Sequence, residues 1–377
     1  NISQIYSKIN SHPTVNCNDL TFIIPFGCDS EDRIKNLGIC LLNLIFNTNA
    51  KIHVAWSDTR FHLSKLGINR NTEFNFLIEL FEKNRIKFNS LSDDRFFYFF
   101  ADVFFRSHLF RYKLNNEYSL QESIHLIKSN KLTLNSNFDF EFINQWLLNQ
   151  IKDRIVVNLS LRDDNKPFHR TKYLNQMLDQ VSTAVVVNHD ADILLPNQTI
   201  SSSYTMIKDF KSDVVYPYGY STINDTRKYN IRVFPDNFGT TYNSLLEASV
   251  TGDFTGINET GQVLKWSSAY GQSIFFNTQT YKNFGGENEE FVSWGAEDVE
   301  RYVRFIKLGC LVSRIKHGNV YHLEHARGPD SGTGNAKFRN NEILWERIQL
   351  FDKKQLLSYY ENCSYLKKYN WRIKDSV

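Results

Sequence analysis

The chain has 377 residues, 41% of them hydrophobic and 23% charged, enough for one large or two modest soluble domains and too apolar for a disordered chain. Its 44 basic and 41 acidic side chains leave a net charge of +3, which argues against a dedicated nucleic-acid binder of the usual strongly basic kind. No run of 18 uncharged apolar residues occurs, so no transmembrane helix is expected, and Asn1 to Asn10 do not read as a signal peptide.

Residues 20–26 (Leu-Thr-Phe-Ile-Ile-Pro-Phe) are apolar and rich in β-formers, and predict a buried strand. Asp29 and Ser30 offer N-cap oxygens, Glu31 and Asp32 follow, and Ile34, Leu37, Leu41, Leu42 and Ile45 keep helical spacing. A second strand is predicted at 51–58, completing a βαβ unit and hence a parallel sheet. Residues 60–150 break the rhythm and read as mostly helical. They include the aromatic run Phe96 to Phe100 and then Phe104, Phe105, Phe110 and Tyr112, interrupted by Asp102, Arg106 and Arg111. This segment is expected to be a buried helical insertion; the sharper alternative is a surface helix that rests on a membrane.

The α/β pattern resumes with strands predicted at 154–161 and 183–189, separated by a helix over 170–180. Further strands are expected near 213–218, 273–277 and 320–325, and a Gly- and acid-rich loop over 283–298. An amphipathic helix follows from Asp298 to Leu308, with Val299, Tyr302, Val303, Phe305 and Ile306 on one face and Gly309 at its stop. Residues 329–337 read as a Gly/Ser/Asn loop and the tail from Asn340 as helical. The expected division is 1–58 and 151–345 as one α/β domain, 59–150 as the insertion and 346–377 as the tail.

Five cysteines, Cys17, Cys28, Cys40, Cys310 and Cys363, show no metal-ligand spacing and predict unpaired thiols in a reducing compartment. The N-x-S/T triplets at Asn158, Asn197 and Asn224 are expected from an Asn-rich composition and not as glycosylation sites.

Four short segments carry chemistry. Asp190 and Asp192 follow a Val-rich strand, where ligands of open α/β sheets collect. Alternation along a continuing strand would aim both carboxylates the same way, and such hard oxygens suit Mg²⁺ or Mn²⁺ with a diphosphate. Trp294-Gly295-Ala296-Glu297-Asp298 offers a general base at a loop-to-helix junction and a flat wall for a sugar; the plainer reading is two acids favouring a helix dipole. His322 and His325 add imidazoles suited to Mn²⁺. Phe168 and Arg170, at the start of the 170–180 helix, fit stacking on a base and contact with phosphate.

In this order the four segments resemble the catalytic domain of the β-1,4-galactosyltransferase family and its bacterial relatives, including chondroitin-polymerase-type enzymes. The resemblance covers about residues 20–58 and 154–345. The family's strand ending in Pro-Phe is similar to Ile24-Pro25-Phe26, and its Phe-Asn-Arg-x-Lys-x-x-Asn segment to residues 168–175, with His169 in place of Asn. Its Asp-x-Asp falls on Asp190 and Asp192, its Trp-Gly-Gly-Glu-Asp on residues 294–298 with Ala296 replacing Gly, and its Met-x-x-His on His322 and His325. The basic residues that follow Pro-Phe in the family are replaced by Gly27, Cys28 and Asp29, with Arg33 the next base.

The resemblance implies a GT-A fold, a Rossmann-like mixed α/β sheet flanked by helices with a helical insertion, and inverting, metal-dependent transfer from a UDP-sugar to an oligosaccharide or glycolipid hydroxyl. It implies Mn²⁺ (or Mg²⁺) on Asp192, His322 and His325. It implies donor contacts from Pro25, Phe26, Phe168, Arg170, Asp190, Trp294 and Gly295, with Asp298 as general base and Glu297 orienting hydroxyls. By the same resemblance the small side chain of Ala269, before Tyr270-Gly271-Gln272-Ser273, favours UDP-GalNAc or UDP-GlcNAc over UDP-Gal. The expected setting is bacterial surface polysaccharide synthesis in the cytoplasm, at the inner face of the membrane. Two other readings stay open: a metal-dependent nucleotidyltransferase, which leaves residues 294–298 unexplained, and a non-catalytic sugar-binding domain.

Overall fold

The apolar run at the start of the chain becomes β1 (Leu20–Gly27), buried along all but its last residue, as expected for a strand covered on both faces. The structure, a computed structural model, describes residues 7–8, 10, 15–65, 75–85, 88–90, 93–100, 140–218, 230–233, 240–255, 257, 262–264, 270–315 and 318–374. After β1 come β2 (Lys51–Asp58), β3 (Asn89–Ser90), β4 (Ile155–Leu161), β5 (Val185–His189), β6 (Ile193–Leu194), β7 (Val214–Tyr216), β8 (Asn230–Val233), β9 (Gln262–Leu264), β10 (Ser273–Asn277), β11 (Val312–Arg314) and β12 (Val320–Leu323).

Among the described residues, eight strands form one mixed sheet in the order β11-β7-β10-β5-β1-β2-β4-β3. Strands β4, β2, β1 and β5 run parallel, while β10 is antiparallel to both β5 and β7. The expected α/β class, a mixed sheet flanked by helices, is what the chain adopts. From β1 the chain passes outward through β2 to β4 and later returns to β5 on the other side of β1. The crevice between the carboxyl ends of β1 and β5 is therefore a topological switch point, the place where such sheets bind ligands. A second sheet, β6-β12-β8-β9, was not anticipated.

The helix after β1, α1 (Glu31–Asn47), is capped by Ser30, whose side chain accepts from Arg33 N, with Glu31 and Asp32 in the first turn. From Ile34 to Asn47 it is buried all round, because it lies between other elements and not on the surface. Three asparagines on it satisfy backbone groups of its neighbours. Asn36 donates to the carbonyls of Leu323 and Glu324, Asn43 pairs with Leu195 and Ser249, and Asn47 donates to Ser249 O. Ser249 belongs to helix α2 (Thr240–Thr251), which packs on α1.

Between residues 60 and 154 the described residues form helices Arg60–Lys65, Asn75–Lys83, Asp94–Phe100 and Phe140–Arg154. They also supply β3, which pairs antiparallel with β4 and so extends the main sheet. Phe96 and Phe100 are fully buried and Tyr98 is half exposed. Phe104, Phe105, Phe110 and Tyr112 lie outside the described residues.

Helix α3 (Arg170–Gln180) has the bounds the sequence predicts. Helix α4 (Glu297–Lys307) fully buries only Phe305 of the apolar face expected of it. Its buried residues are Glu297, Glu300, Arg301, Arg304 and Phe305, while Ile306 is exposed. The charged residues are themselves spaced at 297, 300, 301 and 304, a helical stripe, and they are paired inside. Arg304 binds Glu300 at 2.9 Å and donates to the carbonyls of Phe284 and Gly286. A buried charge is tolerated when paired and hydrogen-bonded in this way. The tail is helical, as predicted, over Phe338–Ile348, Lys353–Glu361 and Ser364–Lys368. All five cysteines are unpaired and buried, and Asn158 is fully buried. Among the described residues no helix is long and apolar enough to cross a membrane.

Candidate active site

At the end of β1, Gly27 faces the ring of Phe168. A Cβ on Gly27 would sit 2.9 Å from Phe168 Cδ2, so only glycine admits the aromatic plate there. Phe168 stacks on Tyr173 at 5.3 Å between centroids and lies beneath Arg162. Asp330 accepts from the Phe168 backbone N–H at 3.0 Å and from Arg162 at 3.2 Å, so the 329–337 loop helps to hold the plate. Pro25 and Phe26 sit before Gly27 in β1. The Phe26 ring is buried edge-on against Trp56, and what it can offer a nucleotide is backbone.

The Asp-x-Asp segment does not continue its strand. β5 ends at His189, whose imidazole bonds Ser273 Oγ at 3.0 Å and Ile193 O at 3.1 Å, buttressing a turn. Burial pushes that imidazole down to about 4, and it stays neutral. The turn sends the two carboxylates apart, which corrects the expectation that both point the same way.

Asp190 turns toward α3, where Arg170 Nη2 donates to its Oδ1 at 2.7 Å. The other Arg170 nitrogen, Nη1, lies 3.5 Å from Asp298 Oδ1, so one guanidinium joins the first Asp to the proposed base. Burial raises Asp190 above the usual carboxylate range, and Arg170 opposes that shift.

Asp192 turns toward the second sheet. Its carbonyl accepts from Leu323 N at 2.8 Å and Ile193 pairs with His322, so β6 and β12 set the carboxylate beside both imidazoles. Asp192 Oδ2 is 3.0 Å from His325 Nε2, and Oδ1 is 3.8 Å from His322 Nε2. One ligand atom from each of the three lies within 4.8 Å of the others. Asp192 Oδ1 is buried with no hydrogen-bond partner, an orphan that a cation would satisfy. His325 Nδ1 bonds Ala326 O at 2.8 Å, which leaves Nε2 to coordinate. One carboxylate and two imidazoles within this spacing could hold a divalent cation. Burial alone would raise Asp192; the two histidines hold it well below the usual range. Burial would lower His325, and the Asp192 hydrogen bond raises it instead. Arg33, the first base after Pro25-Phe26, pairs with Asp29 at 2.8 Å and adds positive field at Asp192.

Residues 294–298 close the site. Trp294 is half exposed and stacked on Phe338 at 5.6 Å, a wall facing solvent. Ser293, Gly295 and Ala296 all have positive φ, and this turn delivers the Gly295 N–H to Glu297 Oε2 at 2.8 Å. Burial, then the neighbouring Asp298 charge, push Glu297 up to about 7. Asp298 is the more open of the two acids, its side chain 30% exposed. Its Oδ1 accepts from Arg301 at 2.9 Å, and its Oδ2 lies over Gly271, where a Cβ would come within 2.4 Å. Ser293 Oγ donates to Asp330 O and Asn335 to Trp294 O, which joins this turn to the loop holding Phe168.

The structure thus gathers Phe168, Arg170, Asp190, Asp298 and the Asp192 triad at the carboxyl edge of the main sheet. Ala269 lies outside the described residues. The sequence assigns no role to Gly271, Glu287 or Arg301; the charged stripe 297, 300, 301, 304 is a signal for the last of these.

Residues 254–326 match the family model described as the N-terminal domain of galactosyltransferase. That span includes residues 294–298, His322 and His325. No curated protein sequence matches the chain. Among solved structures, TarS 1-349 of S. aureus with UDP-GlcNAc is similar at 10% identity and TM-score 0.38, over 91% of this chain and 70% of that one. A mannosyltransferase from Pyrobaculum calidifontis with GDP-Man and Mn²⁺ shows 13% identity and TM-score 0.34, over 95% and 70%. GalNAc-T7 with UDP, GalNAc and Mn²⁺ shows 9% and 0.44, over 97% and 56%. The chain spans 60% of another TarS 1-349 structure. Likeness at these scores transfers no residue role.

Proposed function

We propose that the protein is a metal-dependent, inverting glycosyltransferase that moves a hexose or N-acetylhexosamine from a UDP-sugar to a glycan hydroxyl. The observation that carries the reading is the joining of two groups at one switch point. Asp192, which with His322 and His325 forms a cluster able to hold a cation, is two residues from Asp190, which Arg170 links to Asp298. The partial family match over 254–326 supports the same reading.

A divalent cation held by Asp192, His322 and His325 would neutralise charge on the diphosphate. The chain's own residues do the rest. Phe168, held beside Gly27 by Tyr173 and Asp330, contacts the uracil, and Trp294 and Gly295 border the sugar. Asp190, fixed by Arg170, accepts hydroxyls of the ribose or donor sugar. Asp298, the exposed acid of the pair, takes the proton of the acceptor hydroxyl as it attacks the anomeric carbon from the face opposite UDP. Glu297, buried and pinned by Gly295 N, orients neighbouring hydroxyls. Exclusion of water by the 283–296 loop would suppress hydrolysis of the donor.

The donor is proposed to be UDP-GalNAc or UDP-GlcNAc, selected by the small Ala269. The acceptor is proposed to be an oligosaccharide or glycolipid of bacterial surface polysaccharide, extended in the cytoplasm at the membrane's inner face. The test is a titration of UDP with and without Mn²⁺, followed by transfer assays with the four common UDP-hexoses on such acceptors. Metal-dependent UDP binding with transfer supports the reading. Binding without transfer or hydrolysis of any donor refutes catalysis and leaves a sugar-nucleotide-binding domain. Ala269→Tyr should move kcat/KM toward UDP-Gal by about 10-fold or more; no shift would remove Ala269 as the selecting residue.

A further inference from the structure

Behind Asp298 lies a guanidinium that no substrate can reach. Arg301, one turn along α4, is 1% exposed, and its partner Glu287 is fully buried. Arg301 Nη1 binds both Glu287 oxygens at 2.8 and 3.0 Å. Its Nη2 donates to Asp298 Oδ1 at 2.9 Å and to Tyr270 O at 2.8 Å. Glu287 is fixed in turn by the Tyr281 hydroxyl and by Asn188 Nδ2 on β5. Tyr270 adjoins Gly271, over which Asp298 Oδ2 rests. The planar fork of an arginine suits this task, because its nitrogens are held at fixed angles. One end is clamped in the core, and the other locates both the carboxylate and the backbone on which the carboxylate lies.

We propose that Arg301, anchored by Glu287, is the positioning residue for Asp298: it fixes the carboxylate in the pose from which the acceptor proton is taken. This rests on the reading of Asp298 as general base. An active-site base is commonly oriented by a third group that does not itself react. A pair serving only to join the 284–296 loop to α4 would have no need of a nitrogen on Asp298.

The test uses the double variant Arg301→Met/Glu287→Gln, which removes both charges and leaves neither buried alone, and the single variant Arg301→Lys, which keeps the charge without the fork. Each is measured for kcat of transfer, donor KM, Mn²⁺-dependent UDP binding and thermal midpoint, in the wild-type and Asp298→Asn backgrounds. The double variant should lose roughly 10- to 100-fold in kcat, with UDP binding within about threefold and the midpoint within a few degrees. Arg301→Lys should recover part of the loss. In the Asp298→Asn background the same changes should cost less than about threefold, because the residue they act through is already disabled. A full-sized loss in that background, or a joint fall of UDP binding and midpoint, would show a structural role and overturn the proposal, as would unchanged kcat. If Asp298→Asn alone retains full turnover, the base assignment fails, a result separate from any effect of Arg301.

Discussion

Gly271→Ala tests the pose of Asp298 without touching a charged group. The added Cβ would lie 2.4 Å from Asp298 Oδ2 and 3.2 Å from its Cγ, about 1 Å inside ordinary contact for the oxygen. The backbone beneath cannot retreat easily. Gly271 O accepts from the Tyr218 hydroxyl at 2.7 Å, and the next carbonyl, of Gln272, accepts from Asp190 N at 2.8 Å. The carboxylate must therefore swing, against the hold of Arg301 on its other oxygen. An off-rotamer side chain costs about 1 kcal/mol, and the lost freedom of the unfolded glycine offsets this by about 0.4–1 kcal/mol. Stability should hardly change. A misplacement of about 1 Å at a catalytic group, by contrast, costs on the order of 10²-fold in rate. The assay is steady-state transfer at saturating donor, with Mn²⁺-dependent UDP binding and thermal unfolding as controls. Wild-type kcat in a folded variant would refute the argument that Asp298 works from this position. A collapse of UDP affinity would show that the clash is relieved on the Asp190 side instead.

Three more expectations concern the same molecule. Asp298→Asn should lower kcat by roughly 10²–10⁴ and spare UDP binding; near-normal turnover would move the base to Glu297. Asp192→Ala and His325→Ala should each abolish the Mn²⁺ dependence of UDP binding, since each removes a ligand from the triad, and EDTA should stop wild-type transfer; activity indifferent to EDTA would make the segment a plain turn. His53, whose buried Nδ1 has no hydrogen-bond partner, is pushed down to about 4 by burial and then by Lys51. The unfolded chain therefore binds the extra proton between about pH 6.5 and 4, and stability from this residue is complete above that window and lost as pH falls through it. His53→Phe should gain about 2 kcal/mol relative to wild type between pH 7 and 5, read from urea unfolding; a pH-independent difference would contradict the neutral state of His53.

The parts of this site that were legible in sequence are those written in consecutive residues. The run ending in Pro25-Phe26, the helix from Arg170 and the acids at 297 and 298 each carry a local pattern that the backbone obeys. The divergence of Asp190 and Asp192 was not legible, because it depends on His189 bonding forward to Ile193 and across to Ser273. The second sheet was hidden for a simpler reason: β6 has two residues, β9 three and β8 four, too few to show a period. On α4 the apolar residues suggested one buried face, and ion pairs with Glu287, Glu300 and loop carbonyls buried another. Partners distant in the chain decided that outcome, and no window of local sequence contains them.

The cluster of Asp192, His322 and His325 has a consequence for the order in which the protein is made. Asp192 leaves the ribosome about 130 residues ahead of His325, an interval on the order of ten seconds at common translation speeds. Until β12 is synthesised, β6 lacks the strand beside it and Asp192 lacks both imidazoles. A nascent chain that already carries β1 through β5, with Gly27, Arg170 and Asp190, therefore lacks His322 and His325 of the cluster. Any cation held by these three residues would be loaded late in biogenesis. A truncation that stops short of residue 320 would leave Asp192 without either imidazole of the cluster.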